Sequence, residues 1–516
     1  MRLEDWERPM VAVTATVDRL VDFFTRDFKT AAISASIAVL FSWFLLSTIQ
    51  QYYRLSHIPG PAGTGWSKWW LIGRITSGRT HLDYYEVCER YGSIARVGPN
   101  DLVTSDPDLI KRMSGARSDY RRSDWYNSMR FNPARDNVVS QQDDDKHNAL
   151  RAKLAAGYSG REVEGLETRI DSHILELVDL LENSYITQNK PFDFGRKCQY
   201  MTLDILSDIA YSDPFGFLKT DSDVFEYIKT VEENFPTIIV VTVLPWLVTM
   251  MAHPIFASLL PSEKDRLGLG KVMGIMKKVC ADRYGSTAKP KKDMLGSFIM
   301  HGLTKEEAEA ETLVQVIAGS DTTAGAIRGT MLFVMTNPRV VNALRKEIAP
   351  LNLAPRQVVS DAQARNMPYL QAVIKEGLRI FPPITGLMSK KVPPQGDTFK
   401  GIWLPGGTKI GNCTWGLLRR KDVWGEDADS FRPERWLEAT PEKLKDMESV
   451  VDLVFGFGKY QCLGRNIAFL ELNKIFVELV RRFDLSIVNP EKPWNSVNTG
   501  IFLQSEYWVR GYLRED

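Results

Sequence analysis

The run Phe455-Gly456-Phe457-Gly458-Lys459-Tyr460-Gln461-Cys462-Leu463-Gly464 restricts this chain more than any other stretch. It describes a tight, glycine-hinged loop that presents one cysteine and then enters a helix over Asn466-Ile467-Ala468-Phe469-Leu470-Glu471-Leu472. A single sulfur held this way suits an axial ligand to heme iron, because a porphyrin already fills the four equatorial positions. In that reading Gly458 permits a turn that a side chain would forbid, and Gly464 lets the helix begin close to a flat cofactor. Phe455 packs beside the sulfur and keeps water from it. Free N–H groups and the dipole at the helix start favour a thiolate over a thiol at Cys462. Taken by itself, Cys462 reads as one more small apolar core residue. The whole pattern Phe-x-x-Gly-x-x-x-Cys-x-Gly weighs against that, since chance produces it in roughly one chain per thousand.

A second constraint lies at the amino terminus. Thr30 to Ile49 is apolar or weakly polar and carries no charge, about the length that crosses a bilayer as a helix. Residues 1–29 then form an N-terminal segment, 30–49 a transmembrane anchor, and 50–64 a hinge stiffened by Ile58-Pro59-Gly60-Pro61. Residues 65–516 remain as one large domain with no evident linker or repeat. A buried core helix is the competing reading of the apolar run; a cleaved signal peptide would be shorter, earlier and end in small residues. Arg19, Arg26 and Lys29 precede the span and Arg54 stands alone after it, a bias that favours a cytosolic amino terminus. Cysteine usage argues the reverse. Cys88, Cys198, Cys280, Cys413 and Cys462 are scattered without paired or metal-binding spacing, as in a domain facing a reducing cytosol. No Cys-x-x-Cys-His occurs, which excludes covalent c-type heme. With 65 Lys and Arg against 64 Asp and Glu, the net charge of +1 gives nucleic acid nothing to bind.

The rest reads as mainly α with a minor β-sheet region. Strand signals at Ser93–Val97 and Leu102–Thr104 flank the turn Gly98-Pro99-Asn100, and a second cluster covers Lys390–Ile410. Amphipathic periodicity predicts helices over Glu162–Glu182, Tyr200–Ala210, Ser222–Glu233, Lys264–Tyr284, Lys305–Met335 and Met367–Ile380. Ser286–Asp293 is polar and basic, the natural flexible connection. Thr237–Leu260 is strongly apolar around Pro245 and Pro254, and reads equally as buried or as a second membrane-touching surface.

Within Lys305–Met335, Ala318-Gly319-Ser320-Asp321-Thr322-Thr323 brings small and hydroxyl residues into a helical pattern. Ala318 and Thr322 share a face that can lie flat on a porphyrin, and the Thr322 hydroxyl can bond back to the Ala318 carbonyl and open a notch. Asp321 beside Thr322 makes an acid–alcohol pair able to move protons through water. A serine/threonine-rich helix cap is the alternative for this stretch. Glu376 and Arg379 fall three apart on one helical face, and so do His147 and Arg151 at four, where a solvated face competes.

These patterns, in this order along nearly the whole chain, resemble the cytochrome P-450 family of heme-thiolate monooxygenases. The loop around Cys462 resembles that family's heme-binding loop, and Asp321 and Thr322 its oxygen-activation helix. The resemblance implies that His147 and Arg151 hold heme propionates. It also implies that Glu376, Arg379 and Arg435, from Phe431-Arg432-Pro433-Glu434-Arg435-Trp436, form a buried Glu–Arg–Arg network under the cysteine loop. One position departs: where the family has Arg or His on a propionate, this chain has Tyr460, which donates a hydrogen bond but brings no charge. The implied activity is NADPH-driven oxidation of a hydrophobic small molecule, hydroxylation or demethylation, with electrons from a separate NADPH-cytochrome P-450 reductase. Lys459, Arg465 and Lys474 are the expected docking face. The expected substrate walls are Arg117–Asn137, Phe235–Pro245, Val314–Ala318, Ile384–Met388 and Ile501–Phe502. The flavour of the cysteine loop is similar to that of membrane-anchored, filamentous-fungal members serving secondary metabolism, which implies an endoplasmic-reticulum protein with a cytosolic domain. A heme-thiolate isomerase or dehydratase and a non-enzymatic membrane heme sensor are the rival readings.

Overall fold

The computed structural model describes residues 4–131, 135–251, 253, 255–256, 261–286 and 288–514. Helices dominate it and four small sheets lie among them, as the periodicity predicts. The Lys305–Met335 helix is the central element. It opens with a capping box between Thr304 and Glu307, and packs most extensively against the Phe194–Tyr211 helix. Its middle is buried nearly all round, so it has no polar face to display.

Most helix boundaries shift for local reasons. The expected Glu162–Glu182 helix starts at Leu166, because Gly165 takes a left-handed conformation with φ 64°. The Tyr200–Ala210 helix extends back to Phe194, capped by the Asp193 carboxylate. Ser222–Glu233 becomes Tyr227–Val243, a helix that continues through Pro236. Pro236 has no N–H for the carbonyl of Glu232, so the helix tolerates a local defect there. The apolar stretch from Thr237 ends that helix and forms Trp246–Met251. Trp246 and Ile255 are exposed, whereas Ala252, Pro254 and residues 257–260 lie outside the described residues. Four strands near the carboxyl terminus, from Phe483 to Leu513, escaped the sequence reading.

The five-stranded sheet places Ile94–Gly98, Asp101–Thr104, Lys409–Asn412, Lys390–Lys391 and Arg121–Arg122 side by side. Its last pairing sets Arg122 directly opposite Lys390. The Lys29–Arg54 part of the Glu4–Arg54 helix is the one helix, among the described residues, long and apolar enough to cross a membrane. None of its apolar window is buried against the rest of the chain, which removes the core-helix reading. Residues 1–3 lie outside the described residues. The hinge is docked rather than loose: Arg96 donates to the carbonyls of Tyr52 and Gln51 at 2.9 and 3.0 Å, Tyr52 stacks on Trp66 at 4.2 Å, and Leu55 is wholly buried.

The Glu–Arg–Arg network is present and complete. Glu376 takes two bonds of 2.8 Å from Arg379, one of 3.0 Å from Arg435 and one of 3.0 Å from the Trp436 indole. The remaining guanidinium donors are used on the carbonyls of Leu418, Trp424, Ala428 and Ser430 and, from Arg435, on the Asp427 carboxylate at 3.0 Å. Burial pushes the Glu376 carboxyl up, but Arg379 and Arg435 outweigh it and hold the group below its ordinary 4.5. We expect Glu376→Gln, which leaves Arg379 buried without a carboxylate and Arg435 with Asp427 alone, to cost about 3 kcal/mol in urea unfolding at neutral pH. A group whose folded pKa is depressed contributes above its unfolded value and loses that contribution as pH falls through the folded one. The gap between wild type and Glu376→Gln should therefore close as the titration is carried below pH 4.5.

Candidate active site

The cysteine loop is closed by a bond of 2.7 Å from the Cys462 N–H to the Phe455 carbonyl. Gly456 and Gly458 make the turn with φ of 73° and 58°, and a Cβ on Gly458 would strike the carbonyl of Ser114. Gly464 is different: a Cβ there would meet only the Cys462 sulfur, at 3.9 Å, so its bareness keeps the space beside the sulfur open. Cys462 is exposed, whereas Cys88, Cys198, Cys280 and Cys413 are buried. On the central helix, Ala318 is exposed and Gly319 and Thr322 are half-buried, whereas most of the surrounding residues are buried. The Thr322 hydroxyl donates to the Ala318 carbonyl at 2.9 Å, which forms the expected notch. The N–H groups of Gly464 and Arg465 and the charge of Arg151 favour a thiolate at Cys462, as expected, although desolvation by the surrounding protein outweighs them and holds the thiol above its ordinary value.

Buried positive charge gathers at one edge of this space. Arg122 and Lys390 are 8% and 5% exposed and stand in direct cross-strand register. Lys390 Nζ meets only neutral oxygens, of Tyr126 at 2.7 Å and of Met388 at 3.3 Å. Arg122 spends Nη1 on the carbonyls of Val138 and Gln141, and its Nε has no partner. Burial, with the charges of Arg122 and Lys459, pushes Lys390 well below the usual amine value. Arg151 is half-buried with no hydrogen bond or ion pair among the described residues. His147 is 1% exposed and held neutral, its pKa lowered to about 4 by burial and by Arg122. A cluster of cations buried without counter-charge is costly unless an anion arrives. The two carboxylates of a heme match this donor set.

Tyr460 does not fill the role of a propionate donor in this geometry. Its hydroxyl donates to Asp144 at 2.7 Å, and its ring lies between Arg122 and Lys390, 4.7 and 4.6 Å from their cationic centres. Asp144 also takes Lys459 Nζ at 2.8 Å, and these bonds hold it below the usual carboxylate range despite burial. Neither Arg122 nor Lys390 was singled out from the sequence. Their signal was two pairs of adjacent basic residues, Arg121-Arg122 and Lys390-Lys391, in short strands flanked by apolar positions.

Asp321 is 7% exposed and turns away from the notch, accepting a short hydrogen bond from the Gln199 side chain. Burial raises its pKa to about 6. Four of the expected substrate walls, all but Val314–Ala318, are joined by contacts, although residues 132–134 of the first lie outside the described residues. Tyr126 donates to the Met388 carbonyl at 3.0 Å, Ile384 bridges Ile501, and Ile239 reaches within 3.8 Å of a Cβ built at Gly500. The Glu311 carboxylate on the central helix accepts the N–H of Val138, the residue after the first wall, at 2.6 Å. The expected basic docking face is corrected. Lys474 is fully buried and paired with Glu167 and Asp171 at 2.7 and 2.8 Å, Lys459 is 8% exposed, and Arg465 pairs with Asp452. Spacing alone could not reveal that Glu167 and Asp171, four apart on another helix, reach Lys474.

The family model for cytochrome P-450 matches residues 59–507. The cytochrome P-450 monooxygenase ABA1 of Pyricularia oryzae is 40% identical over 492 residues, 93% of this chain and 96% of its own length. The cytochrome P-450 monooxygenase aba1 of Botryotinia fuckeliana is 38% identical over 468 residues, 88% of this chain and 91% of its own. The cytochrome P-450 monooxygenase abl1 of Leptosphaeria maculans is 34% identical over 472 residues, 89% and 83%.

The buried cations generate a prediction with two opposite signs. Lys390→Met removes a buried amine that has no counter-charge and whose charged form is disfavoured, so heme-free protein should gain about 1 kcal/mol or more in urea unfolding. The same variant should lose heme about tenfold faster to apomyoglobin in a transfer assay. Tyr460→Phe, which breaks only the bond to Asp144, should cost about 1 kcal/mol in both states and leave the transfer rate within about twofold.

Proposed function

The chain belongs to the cytochrome P-450 family of heme-thiolate monooxygenases, and from that premise we propose a membrane-anchored member that oxidises a hydrophobic small molecule of fungal secondary metabolism. Electrons come from NADPH through a separate flavoprotein reductase, since the chain has no dinucleotide or flavin motif. When bound, the heme supplies activation of O₂ and transfer of one oxygen atom to the substrate. Cys462 Sγ would ligate the iron from one side, and Phe455 and the loop backbone shield that sulfur. Arg122, Arg151, Lys390 and neutral His147 would hold the propionates. The notch between Ala318 and Thr322 would give O₂ room on the heme. The Thr322 hydroxyl donates its O–H to the Ala318 carbonyl, so its lone pairs remain to accept from water and orient a proton donor. Asp321, with a pKa of about 6, gains and loses a proton near neutral pH, which suits a proton carrier for the same face. Carrying this reading is the unpaired buried charge at Arg122, Lys390 and Arg151 beside an exposed cysteine.

An anchored enzyme is favoured by the exposed apolar side chains of the Lys29–Arg54 span. Trp246, Met250 and Ile255 are exposed on a segment tied to the hinge region by Lys68 Nζ on the Val243 carbonyl at 2.7 Å, which places a second apolar surface near the anchor. Five free thiols favour a domain on the cytosolic side, at the endoplasmic reticulum. The apolar walls Trp125, Ile239, Val243 and Leu387 favour a hydrophobic substrate.

Cys462→Ala should abolish the thiolate-type absorption of reduced, carbon-monoxide-treated protein, and with it all reductase-dependent turnover. Comparing metabolites of a fungal strain with and without the protein identifies the substrate. With that compound, Asp321→Asn should lower product formation about 10²–10⁴-fold while the carbon monoxide spectrum is unchanged. Unaltered turnover in Asp321→Asn would remove the acid from the mechanism.

A further inference from the structure

One run of hydrogen bonds leads from the active-site face to the protein surface and takes no part in holding the cofactor. Asp321 accepts a short bond from the side-chain N–H of Gln199, on the Phe194–Tyr211 helix. The Gln199 side-chain oxygen accepts from Arg196 Nη1 at 3.4 Å. Arg196 forks onto Glu232 of the Tyr227–Val243 helix through two bonds of 2.7 Å. That pair reaches solvent, with side chains 25% and 23% exposed, whereas Gln199 is 2% exposed. A buried carboxyl beside Thr322 is thus connected through a single amide to one ion pair at the surface.

The chemistry of these three groups fixes the direction of the chain. A guanidinium only donates, so Arg196 can meet Gln199 only at its oxygen. With the oxygen committed there, the amide presents N–H to Asp321. Glu232 holds Arg196 bidentately, and so fixes the fork that fixes the amide. An N–H aimed at a carboxylate favours the ionised form and holds it against the Phe194–Tyr211 helix, away from the Thr322 notch. On protonation the carboxyl loses most of its attraction to that donor and is free to turn toward Thr322. The other groups facing Asp321 are Arg328 on its own helix and Tyr227 and Glu232 on the Tyr227–Val243 helix. Of these, Arg328 makes no hydrogen bond to Asp321 among the described residues.

We propose that Gln199, oriented by the Arg196–Glu232 pair, is the positioning residue that holds ionised Asp321 off the active-site face and releases it when protonated. This rests on the proton-carrying role given to Asp321 above. It assigns a function to three residues outside the cavity, two of them on the surface.

The test is an infrared pH titration of the protonated carboxyl band, on full-length holoenzyme in detergent. Buried Glu311 and Glu471, both raised to about 8, absorb in the same region, so the Asp321→Asn spectrum is subtracted to isolate Asp321. Wild type should titrate with a midpoint near 6. Gln199→Leu removes the donor and should move that midpoint up by about one pH unit, with the carbon monoxide spectrum unchanged. Should Gln199→Leu not fold, Arg196→Met at the partly exposed position carries the test, with a smaller shift in the same direction. A midpoint equal to wild type in either variant overturns the proposal. Product formation by Asp321→Asn reports separately on the active-site reading, so the two failures are told apart.

Discussion

Arg122 and Lys390 stand opposite each other on adjacent strands, buried, with the Tyr460 ring rather than a carboxylate between them. Like charges in direct cross-strand register repel, and neither strand has more than two residues of ladder to offset that. The arrangement persists because the strands are gripped elsewhere. Lys390 also pairs with Ile410, Ser123 bonds Ser389 through both backbone and hydroxyl, and Tyr126 bonds the Met388 carbonyl. The scaffold therefore holds buried basic groups whose charged forms a bound anion would stabilise.

Charge satisfaction separates the best-built ion pairs of the scaffold from the site. Glu376, Arg379 and Arg435 are as deeply buried as the site cations, yet every polar atom they carry has a partner. Lys474 is fully buried but meets two carboxylates and the Val359 carbonyl. Asp293 is fully buried but receives two bonds of 2.7 Å from Arg283. Each of these buried scaffold charges is paired internally, because an unpaired ion there would have nothing to compensate it, and Glu471, which lacks a partner, is pushed toward its neutral form. At the site the pairing is left open, and Arg151, Arg122 Nε and Lys390 all lack an anionic partner.

That difference also marks what the sequence could disclose. The cysteine loop is legible because its geometry is local: glycines, cysteine and helix start lie within ten residues, and each has a backbone reason to be there. Glu376 and Arg379 are legible for the same reason, three apart on one helix. The central helix was bounded correctly at Lys305 and Met335, since its capping box and long periodicity need no tertiary information. Arg122, Lys390 and Gln199 acquire their roles only through strand register and helix packing that join positions far apart in the chain. Surface or interior could not be assigned to Lys459 and Lys474 either, because their counter-charges come from other helices. The Tyr227–Val243 helix was cut short at Glu233 because Pro236 reads as a stop, whereas packing on both sides carries the helix past it.

The sulfur itself shows how far the fold goes and where the cofactor must take over. Near the start of the Arg465–Arg482 helix, Cys462 has two backbone N–H groups and two arginines favouring its thiolate, yet burial wins and the thiol form is preferred. A thiolate stable without metal would sit in a wetter or more cationic pocket and would be an open target for oxidants. A heme iron held by Cys462 would supply the positive charge that its thiolate lacks here. The same logic applies at the opposite edge, where the propionates and the buried cations each become stable in the presence of the other. The protein thus prepares two incomplete half-sites, one short of positive charge at the sulfur and one short of negative charge at Arg122 and Lys390, and a single ligand carrying a cation at its centre and anions at its rim satisfies both.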